Sequence, residues 1–519
     1  MNTLLYNFVY DFTVLFVTIL IGVLIYYKWK FTYWVKVGLP TLAPTFPFGD
    51  TKGVMLGHQT FGEQFLEFYN KIKTNGFKHG GVYFCLQQFY VPVDPEIIKH
   101  IMQKDFHHFM NHGNYFDSEN DPLSGHLFNL EDAKWKNMRV NLTPTFTSGK
   151  IKMMFQTLAD CASGLKPIVD KAAKNHTSID IKDILARFTT DVIGSVAFGL
   201  ECNSLKHPEA EFRKFGKRIF EIDVIDRIKI LLQLIFPRNI LQAMKMKTTK
   251  PEVEEFFMKA IRDTVNYREK NNIYRKDFMH LLIQLKNRGV VTDDGNITSD
   301  QSKTDKALSL NELAAQAFVF FLAGFETSST TMTFALYEIA SNPQIQEKLR
   351  EEIITTLAKY NGELSYNAIM ELGYMEKVIH ETLRKYPPLP LLIRQCTKDY
   401  TIPNTTIRLK KGDMVGIAAQ ALHYDPEYHP DPEKFDPERF SEENKNKRPD
   451  FTWIPFGEGP RVCIGLRFGM IQSKVGLTTL LRNYKITLNK KTKVPLEMDK
   501  KAFVSSPEGG VWLDVQTLE

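Results

Sequence analysis

The sequence predicts a mainly α-helical protein with small β-sheets behind an N-terminal transmembrane anchor helix. Three observations lead to this fold class: a long apolar segment near the N-terminus, a single short region of strand character, and helical periodicity over most of the remainder. The 519 residues weigh 59.9 kDa, and the hydrophobic share of 43% and charged share of 24% are those of globular proteins. A collagen, a disordered tail and a polytopic channel are therefore excluded.

Charge and cysteine content narrow the class of partner. The net charge is +6, without a long basic run, which argues against nucleic acid and suits a membrane surface or an acidic partner protein. The five cysteines are widely spaced, odd in number and form no C-x-x-C pair, which argues against a disulfide framework. We therefore expect a reducing compartment, with one cysteine available for chemistry.

Residues 1–30 are predicted to form an uncleaved membrane anchor. The segment from Leu4 to Tyr27 is apolar apart from two threonines, Asn7 and Asp11, and is long enough to span a bilayer. It ends in bulky residues rather than the small ones of a signal-peptide cleavage site. Positive charge follows the span at Lys28, Lys30 and Lys36, which places the N-terminus in the lumen and the rest of the chain in the cytosol.

The anchor is followed by a proline-rich connector and then one large domain. Residues 31–50 contain Pro40, Pro44 and Pro47 and are predicted to be stiff and non-helical, with Trp34 at the membrane interface. Residues 51–519 form the remaining domain. A sequon at Asn404 would stay unmodified with this topology.

Within that domain the first element is a predicted hairpin. Residues 81–93 (GVYFCLQQFYVPV) read as two strands around Gln87-Gln88, followed by a helix that begins near Pro95. Later, residues 231–241 are apolar and broken by Pro237. They are interpreted as a core turn, with a second membrane-contacting loop as the alternative. Thr292 to Lys306 is a polar linker.

The most informative helix is predicted from Leu310 to Ala340. It is apolar on nearly every face, yet the thirteen-residue run that contains Gln316 is too short for a second span. Ala323 to Thr327 then interrupts it with small residues, a carboxylate and a hydroxyl, so that a flat group can approach the backbone. Thr327 can reach back to the Ala323 carbonyl. A helix bend packed by small residues is the alternative.

A second chemical motif surrounds one cysteine near the C-terminus. Residues 456–465 (FGEGPRVCIG) predict a loop before a helix, where amide hydrogens and the helix N-terminus favour a thiolate at Cys463 and Phe456 shields it from water. A lone cysteine is ordinarily a small buried apolar residue. Here its frame matches F-x-x-G-x-R-x-C-x-G in full, and the sequence resembles the cytochrome P450 family of haem-thiolate monooxygenases.

Further motifs carry the same resemblance in the same order along the chain. They are W-x-x-x-R at Trp135 and Arg139, the groove at residues 323–327, E-x-x-R at Glu381 and Arg384, and P-E-R-F with Arg439. The resemblance implies the cytochrome P450 fold, with haem b and O2 bound by the domain of residues 51–519. Its implied roles are Cys463 as axial iron ligand, Thr327 and Glu326 in oxygen activation and proton delivery, Trp135, Arg139, Arg394 and Arg461 as donors to the haem propionates, and Glu381, Arg384 and Arg439 as a buried ion network.

Longer segments narrow the resemblance. DPLSGHLFNLEDAKWKNMR and NLTPTFTSGKIKMMF are similar to insect family-six microsomal enzymes, which oxidise plant toxins, insecticides and other lipophilic compounds. The implied location is the endoplasmic reticulum membrane, or microsome. Endogenous hormones are further candidate substrates, and no nucleic acid is expected as a partner. The chain has no recognisable flavin or nicotinamide site, so electrons from NADPH would come through a separate NADPH-cytochrome reductase, with cytochrome b5 as a second donor.

Two other functions remain open at this stage. One is a haem-thiolate isomerase or dehydratase that needs no external electrons, and the other is a haem-based sensor or lipophile-binding protein with little turnover. For the monooxygenase, the family resemblance places the substrate cavity along residues 106–128, 212–220, 317–327, 389–393 and 504–506. The predicted docking cations for the reductase are Lys134, Lys136, Lys445, Lys447 and Arg448.

Overall fold

The computed structural model describes residues 2–292 and 307–518, so most of the predicted polar linker lies outside the described residues. The prediction of a mainly α-helical fold with small sheets is confirmed. The α-helices, in chain order, are α1 (Asn2–Lys30), α2 (Tyr33–Val37), α3 (Lys52–Met55), α4 (Phe61–Thr74), α5 (Pro95–Lys99), α6 (Asp132–Leu142), α7 (Ser148–Ser163), α8 (Leu165–Lys174), α9 (Ile181–Ile193), α10 (Glu211–Phe220), α11 (Val224–Ile235), α12 (Arg238–Ala243), α13 (Pro251–Asn271), α14 (Phe278–Arg288), α15 (Leu310–Ser341), α16 (Pro343–Ala358), α17 (Tyr366–Glu371), α18 (Gly373–Lys385), α19 (Ala419–Tyr424), α20 (Glu442–Lys445) and α21 (Leu466–Asn483).

The strands form three small sheets. They are β1 (His79–Phe84), β2 (Gln87–Pro92), β3 (Ile179–Asp180), β4 (Leu392–Gln395), β5 (Tyr400–Thr401), β6 (Arg408–Leu409), β7 (Met414–Ile417), β8 (Tyr484–Leu488) and β9 (Trp512–Thr517). Their orders are β1-β2-β7-β4, β3-β9-β8 and β5-β6. The hairpin turn falls at Cys85-Leu86, with Phe84 opposite Gln87, so the prediction of a turn at Gln87-Gln88 is wrong. Cys85 has a φ of 51°, the left-handed conformation that a tight turn needs.

Helix α1 is long and apolar enough to cross a membrane. The candidate span runs over Leu5–Val37, and none of its most apolar window is buried against the rest of the protein. The predicted non-helical connector is partly wrong, because residues 33–37 form α2. Trp34 is fully buried rather than interfacial: its indole nitrogen donates to the Val82 carbonyl at 3.1 Å. The connector helix α2 is thus held against the sheet that contains β1.

Helix α15 confirms the predicted central helix and its boundaries to within one residue. It starts with a capping box between Ser309 and Glu312, which satisfies amide groups of the first turn. It then packs against α9, α18 and α21, so most of its side chains are buried in the larger of two apolar cores. Within residues 323–327, Phe325 is buried in this core, whereas Ala323, Gly324 and Thr327 remain accessible.

The apolar residues around Pro237 do not form the predicted core turn. They belong to α11 and α12, and Ile225, Ile228 and Ile235 are 64%, 52% and 57% exposed. Leu241 is buried, in a small cluster with Tyr115 and Met246. A surface of exposed isoleucines is costly in water, which favours the alternative of a second membrane contact.

Candidate active site

A large apolar cavity lies between α15, the loop before α21, α6 and β4. Its volume is about 310 Å³, and it is partly open to solvent. Apolar side chains from distant segments line it, among them Leu127, Phe128, Phe146, Ile193, Val319, Phe320, Phe468 and Met470. Most of its polar groups are those of the sequence motifs.

Cys463 opens onto this cavity from the loop before α21. Its amide donates to the Phe456 carbonyl at 2.9 Å, which closes the loop, and Phe456 lies beside it on the wall. Gly459 has a φ of 69°, and a Cβ there would lie 1.9 Å from the Met102 carbonyl oxygen, so only glycine fits. The loop is therefore shaped by backbone approach, as its glycines predicted.

The Cys463 side chain is enclosed by protein and yet accessible from the cavity. Burial raises the pKa of its thiol, and amide hydrogens of Gly465 and Leu466 and the charge of Arg139 oppose that rise. A stable thiolate here needs a further positive partner on the cavity side. An iron ion would supply that charge.

Three arginines and Trp135 line the same cavity: Arg139, Arg394 and Arg461. Burial lowers the pKa of Arg394 to about 10, and its Nε has no hydrogen-bond acceptor. Burial, together with the charges of Arg394 and Arg139, lowers the pKa of Arg461 to about 9. None of the three forms an ion pair within the described residues, so the cluster is short of negative charge. A planar group with two carboxylates, such as haem, fits this donor set.

Arg461 is already engaged by the backbone. It donates from Nε to the Met110 carbonyl at 2.8 Å and from Nη2 to the Leu130 carbonyl at 2.7 Å. Its guanidinium carbon lies 4.1 Å from the Trp135 ring centroid. Arg461 thus ties the cysteine loop to residues 110–130, a structural task that the sequence did not reveal.

Opposite the loop, the groove of α15 places Thr327 on the cavity wall with Ala323 and Gly324. The Thr327 hydroxyl donates to the Ala323 carbonyl at 2.6 Å, as predicted. Glu326 is not among the cavity-lining residues. Its Oε1 lies 3.9 Å from Nζ of Lys182, at the start of α9, and Lys182 also contacts the Ser506 hydroxyl.

Comparison with known proteins matches this site to a family. The family model "Cytochrome P450" covers residues 47–513. The chain belongs to the cytochrome P450 family. Such proteins are haem-iron monooxygenases that use dioxygen, and this P450 is an oxidoreductase of that class.

Its relatives are insect enzymes. It is 42% identical to "Probable cytochrome P450 6a14" of Drosophila melanogaster over 97% of this chain and 99% of that protein. It is 39% identical to "Cytochrome P450 6a2" of the same species, over 98% and 100% of the two chains. It is 40% identical to "Cytochrome P450 6A1" of Musca domestica, over 95% and 96%. The predicted insect family-six resemblance is confirmed.

Beside the cavity of this P450, the E-x-x-R motif forms a buried ion network. Arg384 Nε donates to Glu381 Oε2 at 2.7 Å and its Nη2 to Oε1 at 2.9 Å, with both side chains fully buried. Arg439 Nε reaches Glu381 Oε1 at 3.3 Å. Breaking one member would leave a buried charge unpaired, which makes the network strongly structural.

The wall of the cavity differs in part from the predicted segments. Residues from 106–128, 317–327 and 389–393 line it, whereas none from 212–220 or 504–506 is among its lining residues. Phe215 instead stacks on Phe256 of α13, with ring centroids 4.2 Å apart, and Phe212 packs edge-on against the same ring at 5.0 Å. Sequence reasoning missed Phe146, because nothing in its local pattern shows that α7 begins beside the cavity.

The predicted docking cations fall into three kinds. Lys134 and Lys136 are exposed on either side of Trp135. Lys445 and Lys447 are exposed but pair with Glu442 and Glu443. Arg448 packs over Phe440 and Trp453, with burial lowering its pKa to about 10, so it is not a freely exposed cation.

Proposed function

We propose that this P450 is a microsomal haem-thiolate monooxygenase that oxidises lipophilic xenobiotics such as plant toxins or insecticides. A single observation carries the proposal: Cys463, Thr327 and the arginine cluster all open onto one apolar cavity. A thiolate site, a hydroxyl and an apolar binding space are the parts that this chemistry requires.

Each residue has a task that follows from its position. Cys463 would ligate the iron. Arg139 and Arg394 would hold the cofactor carboxylates, which would supply the negative charge that the arginine cluster lacks. Phe456 keeps water from the sulfur. Haem, when bound, supplies the iron that activates dioxygen.

On the substrate side, the chain excludes water and supplies protons. Val319, Phe320 and Phe128 would bind an apolar substrate and displace water. The Thr327 hydroxyl donates its hydrogen to the Ala323 carbonyl, so its oxygen is left to accept a hydrogen bond, from water or a bound group, at the cavity wall. Glu326 would connect that hydroxyl with solvent by turning away from Lys182.

The proposal also includes the membrane location of this P450 and its redox partners. Lys28 and Lys30 lie in the last turn of α1 and Lys36 lies beyond it, which supports an endoplasmic reticulum anchor with the catalytic domain on the cytosolic face. Electrons would come from NADPH through a separate reductase, with cytochrome b5 as a second donor. The exposed Lys134 and Lys136 on α6, the helix that also carries Arg139, support such docking.

The test is replacement of the cysteine. In Cys463→Ser the reduced carbon monoxide complex should lose the absorption of a thiolate-ligated haem, and substrate oxidation should cease, since a hydroxyl is a poor iron ligand. Cys85→Ser and Cys396→Ser, buried away from the cavity, should keep both. A thiolate-type spectrum in Cys463→Ser would contradict the proposal. Oxygen consumption with a reductase separates a monooxygenase from an isomerase or a sensor.

A further inference from the structure

We propose that Gln316 is a positioning residue that sets which ligand shapes the cavity accepts, by holding residues 125–127 against α15. The inference rests on the proposed function only in taking this cavity as the substrate site. It concerns a buried amide that neither haem binding nor oxygen chemistry uses.

Gln316 stands on the cavity-facing side of α15. The lining residues Val319, Phe320, Ala323 and Thr327 recur at helical spacing and so share one face. Gln316 precedes Val319 by three residues and Phe320 by four, one turn earlier on the same face. Its side chain is fully buried in an apolar run, where an unpaired amide would be costly.

Both ends of the amide bind backbone groups. Gln316 Oε1 accepts a hydrogen bond from the Leu127 amide at 2.9 Å. Its Nε2 donates to the Gly125 carbonyl at 3.5 Å and to the Glu312 carbonyl at 3.2 Å. The side chain thus joins residues 125–127 to the helix that lines the cavity.

The clamped segment has little regular structure to hold it. Between residues 110 and 130 the described chain forms a 3₁₀ turn at Pro122–Ser124 and an isolated bridge at Asn111. Its place therefore depends on side-chain contacts from neighbouring elements. Next to the clamp, Leu127 and Phe128 form cavity wall.

Arg461 holds the same segment from the cysteine loop. It donates to the Leu127 carbonyl at 3.2 Å and to the Phe128 carbonyl at 3.4 Å. The wall is consequently fixed between two elements, with Gln316 acting from the α15 side. Loss of the Gln316 bonds should let Leu127 and Phe128 recede and widen the cavity there.

Gln346 provides a matched control. It is buried on α16 and makes the same kind of double clamp, donating to the Ile486 carbonyl at 2.8 Å and accepting from the Ile486 amide at 2.9 Å. It does not line the cavity. Gln346→Leu therefore removes a comparable backbone clamp, together with one bond from Arg350 at 3.2 Å, without touching the wall.

The experiment compares full-length Gln316→Leu, Gln316→Met and Gln346→Leu proteins. Hydrogen exchange at residues 125–130 should become about tenfold faster in the Gln316 variants, the factor expected for one lost buried hydrogen bond. The dissociation constants of two haem-binding probes, slim 1-octylimidazole and bulky 1-adamantylimidazole, are read from the haem absorption shift. Their ratio should move by about tenfold toward the bulky probe in the Gln316 variants and stay unchanged in Gln346→Leu.

Three results would overturn the inference. They are unchanged exchange at residues 125–130, an unchanged probe ratio despite faster exchange, and failure of both Gln316 variants to fold while Gln346→Leu folds. The exchange measurement needs no haem. A protein that bound no haem would therefore refute the proposed function while the Gln316 clamp was still tested.

Discussion

Glu326 Oε1 lies 3.9 Å from Lys182 Nζ, which turns the carboxylate of the groove motif away from the cavity that Thr327 lines. The two side chains are 14% and 27% exposed. A pair this long and partly hydrated is weak, worth about 1 kcal/mol or less. The pair itself therefore contributes little to holding the carboxylate beside Lys182.

The first prediction concerns this carboxylate. Glu326→Gln keeps the size of the side chain but removes the acid, and turnover should fall by about a hundredfold, the lower range for loss of a general acid. Lys182→Met removes the pair and keeps the acid, so turnover should stay within about threefold of the parent, because a weak pair is lost. Steady-state product formation measures both. Equal losses in the two variants would show that the pair is structural.

The second prediction concerns the neighbouring hydroxyl. Thr327→Ala should bind ligand with nearly unchanged affinity, while cofactor oxidation proceeds without product and peroxide accumulates, because the hydroxyl acts after binding. Thr331→Ala is the matched control: its hydroxyl lies one turn later on the same wall and donates to the Thr327 carbonyl at 2.8 Å. The ratio of product formed to NADPH consumed should fall several-fold in Thr327→Ala alone, because the lost hydroxyl acts in a step that follows substrate binding. Unchanged coupling in Thr327→Ala would leave that residue as part of a helix bend.

Much of this site was predictable from the sequence, because short stretches of consecutive residues determine it. The length of an apolar run fixes α1 and α15, and the frame of glycines and arginine around Cys463 fixes a loop before a helix. Contacts between distant segments leave no such trace. Nothing near Glu326 in sequence points to Lys182, and nothing near Arg461 shows that it clamps residues 110–130.

Wrong predictions have local causes too. Gln87 and Gln88 are polar and read as a turn, yet they begin β2, where a strand end tolerates polar side chains. Trp34 reads as an interfacial aromatic, but an apolar cluster beneath the β1 sheet buries it more favourably. Patterning of this kind cannot distinguish a membrane surface from a protein surface.

The third prediction concerns membrane attachment. Deletion of residues 2–30 should leave part of the protein on liposomes with haem retained, since burial of each exposed isoleucine of α11 in lipid is worth about 1.5–3 kcal/mol. In that truncated protein, Ile225→Lys with Ile228→Lys should abolish flotation with liposomes. Ile354→Lys, at a 54% exposed position on α16, is the matched control and should not.

Two outcomes would contradict this topology. A truncated protein that never floats would leave α11 as a water-exposed apolar helix. Glycosylation of Asn404 in the full-length protein would place the catalytic domain in the lumen.

The fourth prediction concerns electron delivery. The proposed reductase would dock near the haem site, where the exposed Lys134 and Lys136 would attract an acidic flavoprotein. Reversing both to Glu should slow reduction by the reductase about tenfold or more at low salt, within the range of electrostatic steering. Reduction by dithionite needs no docking face and should be unchanged. The control is the double variant Lys259→Glu with Lys270→Glu, which makes the same change in net charge at exposed positions of α13. The reductase should reduce this variant at the parent rate.

Ionic strength tests the same surface independently. Exposed charges are screened over ~8 Å at physiological salt, so the parent rate of first-electron transfer should fall as salt rises. The Lys134 and Lys136 reversal should flatten that dependence, because the charges that attract the reductase are gone. Lys445 and Lys447 already pair with neighbouring glutamates, so reversing them should matter less. Equal slowing with reductase and dithionite would instead mean that the changes damage the haem site through Trp135, which lies between the two lysines.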